Sequence, residues 1–150
     1  MAELALRIED ERTVLEPHGA GAPSLLLHGL GWKALARDHL KHDPPSSLEL
    51  ENAIAAIEDE IARVRALPAK GLRLQTDDVR VREIALAAGV PAGEPMTIQA
   101  VEQSFQRLAA RSVSGGRSGD GIPPGNERAA TLVIPRELMH HLGFSAILWP

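Results

Sequence analysis

The stretch ELALRIEDERTVLEP at 3–17 decides the fold prediction. Its first apolar residues alternate with charged ones in the period of two that indicates a strand with one buried face: Leu4, Leu6 and Ile8. A turn at 10–11 separates this strand from a second at 12–16, and a Gly-rich loop precedes a third at 24–28. We therefore expect the chain to open with a β-meander.

Beyond the meander the apolar period becomes helical. A first helix runs from Gly31 and has to end before Pro44, because proline lacks an amide N–H and restricts the residue before it. A second helix starts at once, since Ser46 and Glu49 have the spacing of a capping box. Its buried face is predicted by a regular apolar stripe: Leu50, Ile54, Ile57, Ile61 and Val64.

A strand and a helix follow in the middle of the chain. A short strand at 71–75 leads into a helix at 79–88, with Asp77 or Asp78 as its N-cap and Gly89 as a left-handed C-cap. These signals predict a β-turn-α unit.

Further helices begin at Thr97 and span Asn126–Leu142, where Pro135 either kinks the helix or starts its second half. Between them, 112–125 indicates a flexible Gly/Ser/Pro connector within the domain, and 144–149 forms the last predicted strand.

Composition narrows the class of protein. With 150 residues and 44% hydrophobic content, the chain fits one α/β domain over 1–150, in which the β-meander is followed by helices, packed on the sheet, and two further strands. The formal charge of −4 and an aromatic content of 3% argue against nucleic acid, since phosphates attract clustered Lys and Arg, and bases stack on aromatic rings. Without cysteine the chain has no disulfide and no thiolate zinc site.

The beginning of the chain lacks the apolar core of a signal peptide. The longest apolar runs, such as 25–27 and 132–134, are far shorter than the roughly 20 residues that cross a bilayer. We therefore expect a cytoplasmic protein with no membrane partner.

Four groups of short motifs follow one another along the chain: AELAL at 2–6, LG at 30–31 with Leu35 and DPPS at 43–46, RA at 128–129, and LM at 138–139 with LG at 142–143. In order and spacing they resemble the second half of the exopolyphosphatase and guanosine-pentaphosphate phosphatase (Ppx/GppA) family, which has the actin and sugar-kinase superfold. The resemblance implies a single ribonuclease-H-like lobe with a mixed five-stranded sheet, rather than the two lobes of a full enzyme.

Departures from the family pattern bear on function. Family members carry two glycine-rich loops whose backbone N–H groups hold phosphate. We expect Met1 to stand where the first loop ends, and 75–78, Gln-Thr-Asp-Asp, to take the position of the second. Because each carboxylate repels a nearby anion by about 1 kcal/mol or more, we expect no phosphate to bind by the inherited route.

Three acidic residues form the candidate ligand-binding site: Asp77, Asp78 and Glu83. They follow the carboxyl end of a predicted strand, where α/β proteins bind ligands, and their hard oxygen atoms suit a divalent cation or a cationic ligand. The structural alternative is an N-cap and a first-turn acid that the helix dipole favours.

Other catalytic and metal sites lack a supporting pattern. The pairs His39/His42 and His140/His141 show no HExxH spacing, and adjacent histidines point to different sides of a helix, so we expect solvated or capping residues and no metal or other cofactor. The Ser/Gly segment at 114–120 lacks the Lys-Ser/Thr ending of a phosphate loop, and no G-x-S-x-G motif occurs. No catalytic residue is therefore assigned.

The sequence hypothesis is a non-catalytic, degenerate Ppx/GppA-phosphatase-like domain that acts as an interaction or regulatory module, in a homodimer or with a protein partner. One alternative is a phosphatase-like enzyme, or a metal- or ligand-binding protein, with a site rebuilt around Asp77 and Asp78. Another is a subunit whose neighbour supplies the missing phosphate-loop half.

Overall fold

The computed structural model describes residues 3–17, 24–63, 73–114 and 125–149. The strands are β1 (Glu3–Ile8), β2 (Arg12–Pro17), β3 (Leu25–His28), β4 (Arg73–Gln75), β5 (Met96–Thr97) and β6 (Ala146–Leu148). The helices are α1 (Trp32–Asp38), α2 (Ser47–Arg63), α3 (Val79–Ala87), α4 (Ile98–Ser114) and α5 (Asn126–Leu142). No helix in these ranges is both long and apolar enough to cross a membrane.

The strands form one mixed sheet in the order β3-β2-β1-β4-β6-β5. The first three pair antiparallel, as the predicted meander requires, whereas β4 runs parallel to both β1 and β6. The prediction of five strands, two of them after the meander, is wrong by one, because β5 pairs antiparallel with β6 at the edge. Its two residues, Met96 and Thr97, are too few to show a period in the sequence.

The parallel pair of β1 and β4 positions the candidate site. Leu4 lies opposite Leu74, and Ala5 lies opposite Gln75. Because parallel strands end at the same edge of a sheet, the residues after β4 come to lie beside the turn that follows β1.

Helix α5 lies at the centre of the core and contacts α1, α2, α3 and α4. Its bounds are as predicted, it continues through Pro135, and it ends at Gly143, whose φ of 81° is left-handed. Most of the residues at its centre are buried: Ala129, Ala130, Leu132, Val133, Ile134, Leu138 and Met139. The helix therefore resembles a core element more than an amphipathic surface helix.

Local capping signals are confirmed in α2. The Ser46 amide donates to Glu49 Oε1 at 2.9 Å, and the Glu49 amide donates to Ser46 Oγ at 3.1 Å, which completes the predicted capping box. Leu50, Ile57 and Ile61 of the predicted stripe are buried, while Val64 lies outside the described residues.

The connector predicted at 112–125 is wrong at its start. Residues 112–114 belong to α4, where the Ser112 hydroxyl donates to the Leu108 carbonyl oxygen at 3.0 Å. This bond to the carbonyl four residues earlier satisfies the Ser112 hydroxyl inside the helix. The stretch 115–124 lies outside the described residues.

Candidate functional site

The candidate site lies where β1 and β4 end. Thr76, the first residue after β4, is 3% exposed. Its hydroxyl donates to the Leu6 carbonyl oxygen at 3.0 Å and accepts from the Asp78 amide at 3.2 Å. The segment that leads into α3 is thereby fixed against β1.

Asp78 is the N-cap of α3. Its Oδ1 accepts a hydrogen bond from the Arg80 amide at 2.9 Å, and its side chain is only 9% exposed. The first amides of a helix bind an external anion where they are free. Here a carboxylate of the chain itself takes that position.

The Arg80 side chain folds back onto the same carboxylate. Its Nε lies 3.0 Å from Asp78 Oδ1 and its Nη2 lies 2.8 Å from Oδ2, which makes the pair bidentate. Nη2 also donates to the Ile8 carbonyl oxygen at 3.2 Å, and Cζ lies 4.9 Å from the centroid of the Trp32 ring. Burial is the largest influence and lowers the pKa of Arg80, but the hydrogen bonds to Asp78 together with the negative charges of Asp78, Glu127 and Asp10 raise the pKa above its ordinary value.

The β1–β2 turn covers the start of α1 in a similar way. The Glu9 carbonyl oxygen accepts from the Trp32 amide at 3.0 Å, and the Asp10 carbonyl oxygen accepts from the next two amides of the helix, also at 3.0 Å. Gly31 is required at this contact, because a Cβ there would lie 2.2 Å from the Glu9 carbonyl oxygen. The first three amides of α1 and the Arg80 amide of α3 are therefore bound within the chain.

Asp77, Asp78 and Glu83 do not converge on one point. Glu83 binds Arg128 of α5, with Oε2 at 2.7 Å from Nε. Asp77 is exposed and, with Arg7, lines a hollow of about 180 Å³. Among the described residues these three carboxylates form no group within reach of one metal ion. Their role in ligand binding stays a prediction.

Within the described ranges, one group of metal-ligating side chains does come together, and sequence reasoning missed it. Glu58 of α2 and Glu137 and His141 of α5 each place a ligand atom within 4.8 Å of the others. His141 Nε2 lies 2.9 Å from Glu58 Oε2 and 3.4 Å from Glu137 Oε1. The spacing of four between Glu137 and His141 was a partial signal, since such residues share a helix face.

Two other histidines of the predicted pairs, His42 and His140, each lie against one carboxylate. His140 Nε2 lies 3.1 Å from Glu102 Oε2, and His42 Nδ1 lies 2.9 Å from Glu49 Oε2. His140 and His141 therefore turn to different neighbours, which confirms the prediction that they point to different sides of the helix.

We predict that Arg80→Met destabilises the fold by about 3 kcal/mol, because it leaves the mostly buried Asp78 carboxylate without its cation. Arg82→Met is the matched control, since the same change two residues on, at an exposed position, should alter the free energy of unfolding by less than about 0.5 kcal/mol. Urea unfolding followed by circular dichroism measures both. Equal effects of the two substitutions would contradict the role assigned to Arg80.

No protein-family model matches this chain, and no curated protein matches its sequence. Solved structures do match. The Ppx/GppA enzyme of Aquifex aeolicus superposes with a TM-score of 0.70 at 13% identity, covering 99% of this chain and 53% of that one. An exopolyphosphatase-like protein superposes with a TM-score of 0.68 at 16% identity, covering 98% of this chain and 55% of that one. The type II variant of the A. aeolicus Ppx/GppA phosphatase superposes with a TM-score of 0.68 at 15% identity, covering 99% of this chain and 52% of that one.

The chain thus spans about half the length of these structures. At such low identities the likeness concerns the fold alone. The predicted resemblance to the Ppx/GppA proteins, and with it the predicted ribonuclease-H-like lobe, is confirmed as the fold of this chain.

Proposed function

We propose that this chain is a non-catalytic, degenerate Ppx/GppA-like domain that acts as an interaction or regulatory module. The observation that carries the proposal is the position of the Asp78 carboxylate, which binds both the amide and the guanidinium of Arg80 at the start of α3. A helix N-terminus and an arginine are groups that bind phosphate in proteins. In this domain an internal carboxylate already engages both.

The charges around this position also disfavour an anion. Glu127 Oε2 lies 3.7 Å from Arg80 Nη1, and Asp77 is exposed beside Asp78. A phosphate that displaced Asp78 would leave a mostly buried carboxylate unpaired, at a cost of about 3–5 kcal/mol. That cost lowers the affinity for phosphate, and a phosphatase has to bind the phosphoryl group of its substrate.

A module of this kind needs a partner, and we propose a second copy of this chain or another protein. Val79 and Leu86, 66% and 49% exposed, are seven positions apart and therefore lie on the same side of α3. Beside Leu86, a cavity of about 220 Å³ is lined by Val90, Pro91 and Trp149 among others. Adjoining apolar groups at a surface favour association. Light scattering tests the homodimer, which requires about twice the chain mass of 16.1 kDa.

We predict that inorganic phosphate raises the thermal stability of Asp78→Ser but leaves that of the wild type unchanged. Serine keeps a capping hydroxyl for the Arg80 amide, and the substitution frees the Arg80 guanidinium for an external anion. At ten times the dissociation constant, binding stabilises the variant by about 1.4 kcal/mol, which corresponds to about 4 °C in Tm for a chain of this size. Thermal unfolding in phosphate and in chloride at equal ionic strength measures the difference.

Asp77→Ser is the matched control, because it removes one neighbouring negative charge and leaves the Asp78–Arg80 pair in place. It should behave like the wild type. The same preparations are assayed for hydrolysis of polyphosphate, guanosine pentaphosphate and p-nitrophenyl phosphate. Wild-type hydrolysis that is lost in Asp77→Ser or Asp78→Ser would overturn the proposal in favour of an enzyme with a site rebuilt around these two aspartates.

A further inference from the structure

The side chains of Glu58, Glu137 and His141 form a cluster between α2 and α5. Glu137 forms its floor, with a side chain only 3% exposed, whereas those of His141 and Glu58 are 40% and 44% exposed. The cluster thus has one buried ligand and two ligands that are accessible to solvent. An ion therefore has a path into the cluster.

The distances within the cluster match those around a bound metal ion. Zinc bonds of about 2.0–2.1 Å at a tetrahedral angle hold neighbouring ligand atoms about 3.3 Å apart. His141 Nε2 lies 2.9 Å from Glu58 Oε2 and 3.4 Å from Glu137 Oε1, on either side of that value. All three ligand atoms lie within 4.8 Å of one another, so movement of the accessible His141 and Glu58 side chains can bring them around an ion.

The balance of charges near the cluster favours a cation. Arg136 donates from Nη1 to Glu137 Oε2 at 2.6 Å and from Nε to Glu102 Oε2 at 2.9 Å. The hydrogen bond from Arg136, with further ones from Gln106 and His140, outweighs partial burial and lowers the pKa of Glu102 to about 2, so that carboxylate stays charged. The positive charge of Arg136 is thus shared by the carboxylates of Glu102 and Glu137. Glu58 places a third carboxylate beside His141. Arg136 binds Glu137 Oε2, whereas Glu137 Oε1 faces His141, so a cation beside His141 would add to the positive charge around this buried carboxylate.

We propose that Glu58, Glu137 and His141 bind a divalent transition-metal ion, with Zn²⁺ the best match. One imidazole nitrogen and two carboxylate oxygens are suitable zinc ligands, whereas Mg²⁺ and Ca²⁺ prefer oxygen alone. Three protein ligands leave a fourth position for water or a further ligand. The inference does not rest on the proposed function, because this cluster shares no residue with the sheet edge at Asp78.

The test is isothermal titration calorimetry of the untagged full chain with Zn²⁺ alone, after dialysis against a chelator. We expect one ion per chain and a rise in Tm on binding. His141→Ala and Glu58→Gln change accessible side chains, and each should weaken the affinity by more than about ten-fold, since even partners of a metal ligand contribute that much. The visible absorption of bound Co²⁺ reports whether the coordination is tetrahedral.

His140→Ala is the matched control, because it removes the adjacent imidazole, which lies against Glu102 instead. It should bind Zn²⁺ with wild-type affinity. Far-UV circular dichroism checks that each variant is folded. The proposal is overturned if the wild type takes up no ion, if both folded variants, His141→Ala and Glu58→Gln, bind as the wild type does, or if His140→Ala loses as much affinity as His141→Ala.

Discussion

The bidentate pair between Arg80 and Asp78 is the interaction on which the candidate site depends. The same guanidinium binds the carbonyl oxygen of Ile8 at the end of β1 and lies over the ring of Trp32 at the start of α1. Three elements that are distant in sequence therefore meet on one side chain. A mostly desolvated pair is stable only while both charges remain, so this pair fixes the edge of the sheet. In the proposed function it also takes the place of an external anion.

The fold and the chemistry of this edge are separable. The chain has the fold of about half of a Ppx/GppA structure at only 13% identity, so the likeness concerns the fold and not the chemistry of this edge. The buried core around α5 and the inner face of the sheet maintains the fold. The edge has hydrogen bonds of its own, in which Asp78 and the β1–β2 turn bind helix amides.

Sequence patterns predicted the elements whose signals are local. The capping box of Ser46 and Glu49, the Asp78 cap and the Gly143 C-cap each depend on residues a few positions apart, so the sequence displays them. The site depends on longer contacts. Arg80 meets the Ile8 carbonyl oxygen across 72 positions and His141 meets Glu58 across 83, and no local pattern encodes such pairings. Asp78 was therefore found as one of two candidate caps, with Asp77, while its arginine partner and the α2–α5 cluster were not.

The most direct test follows the backbone amides of Asp78 and Arg80 by ¹H–¹⁵N spectroscopy while pyrophosphate is added to the wild-type protein. Both amides donate to side-chain oxygens of the chain itself, to Thr76 Oγ1 and Asp78 Oδ1. If these oxygens already take the place of an anion, neither amide resonance moves beyond the general effect of ionic strength. A saturable shift of both amides, at a pyrophosphate concentration that leaves other amides unchanged, contradicts the account.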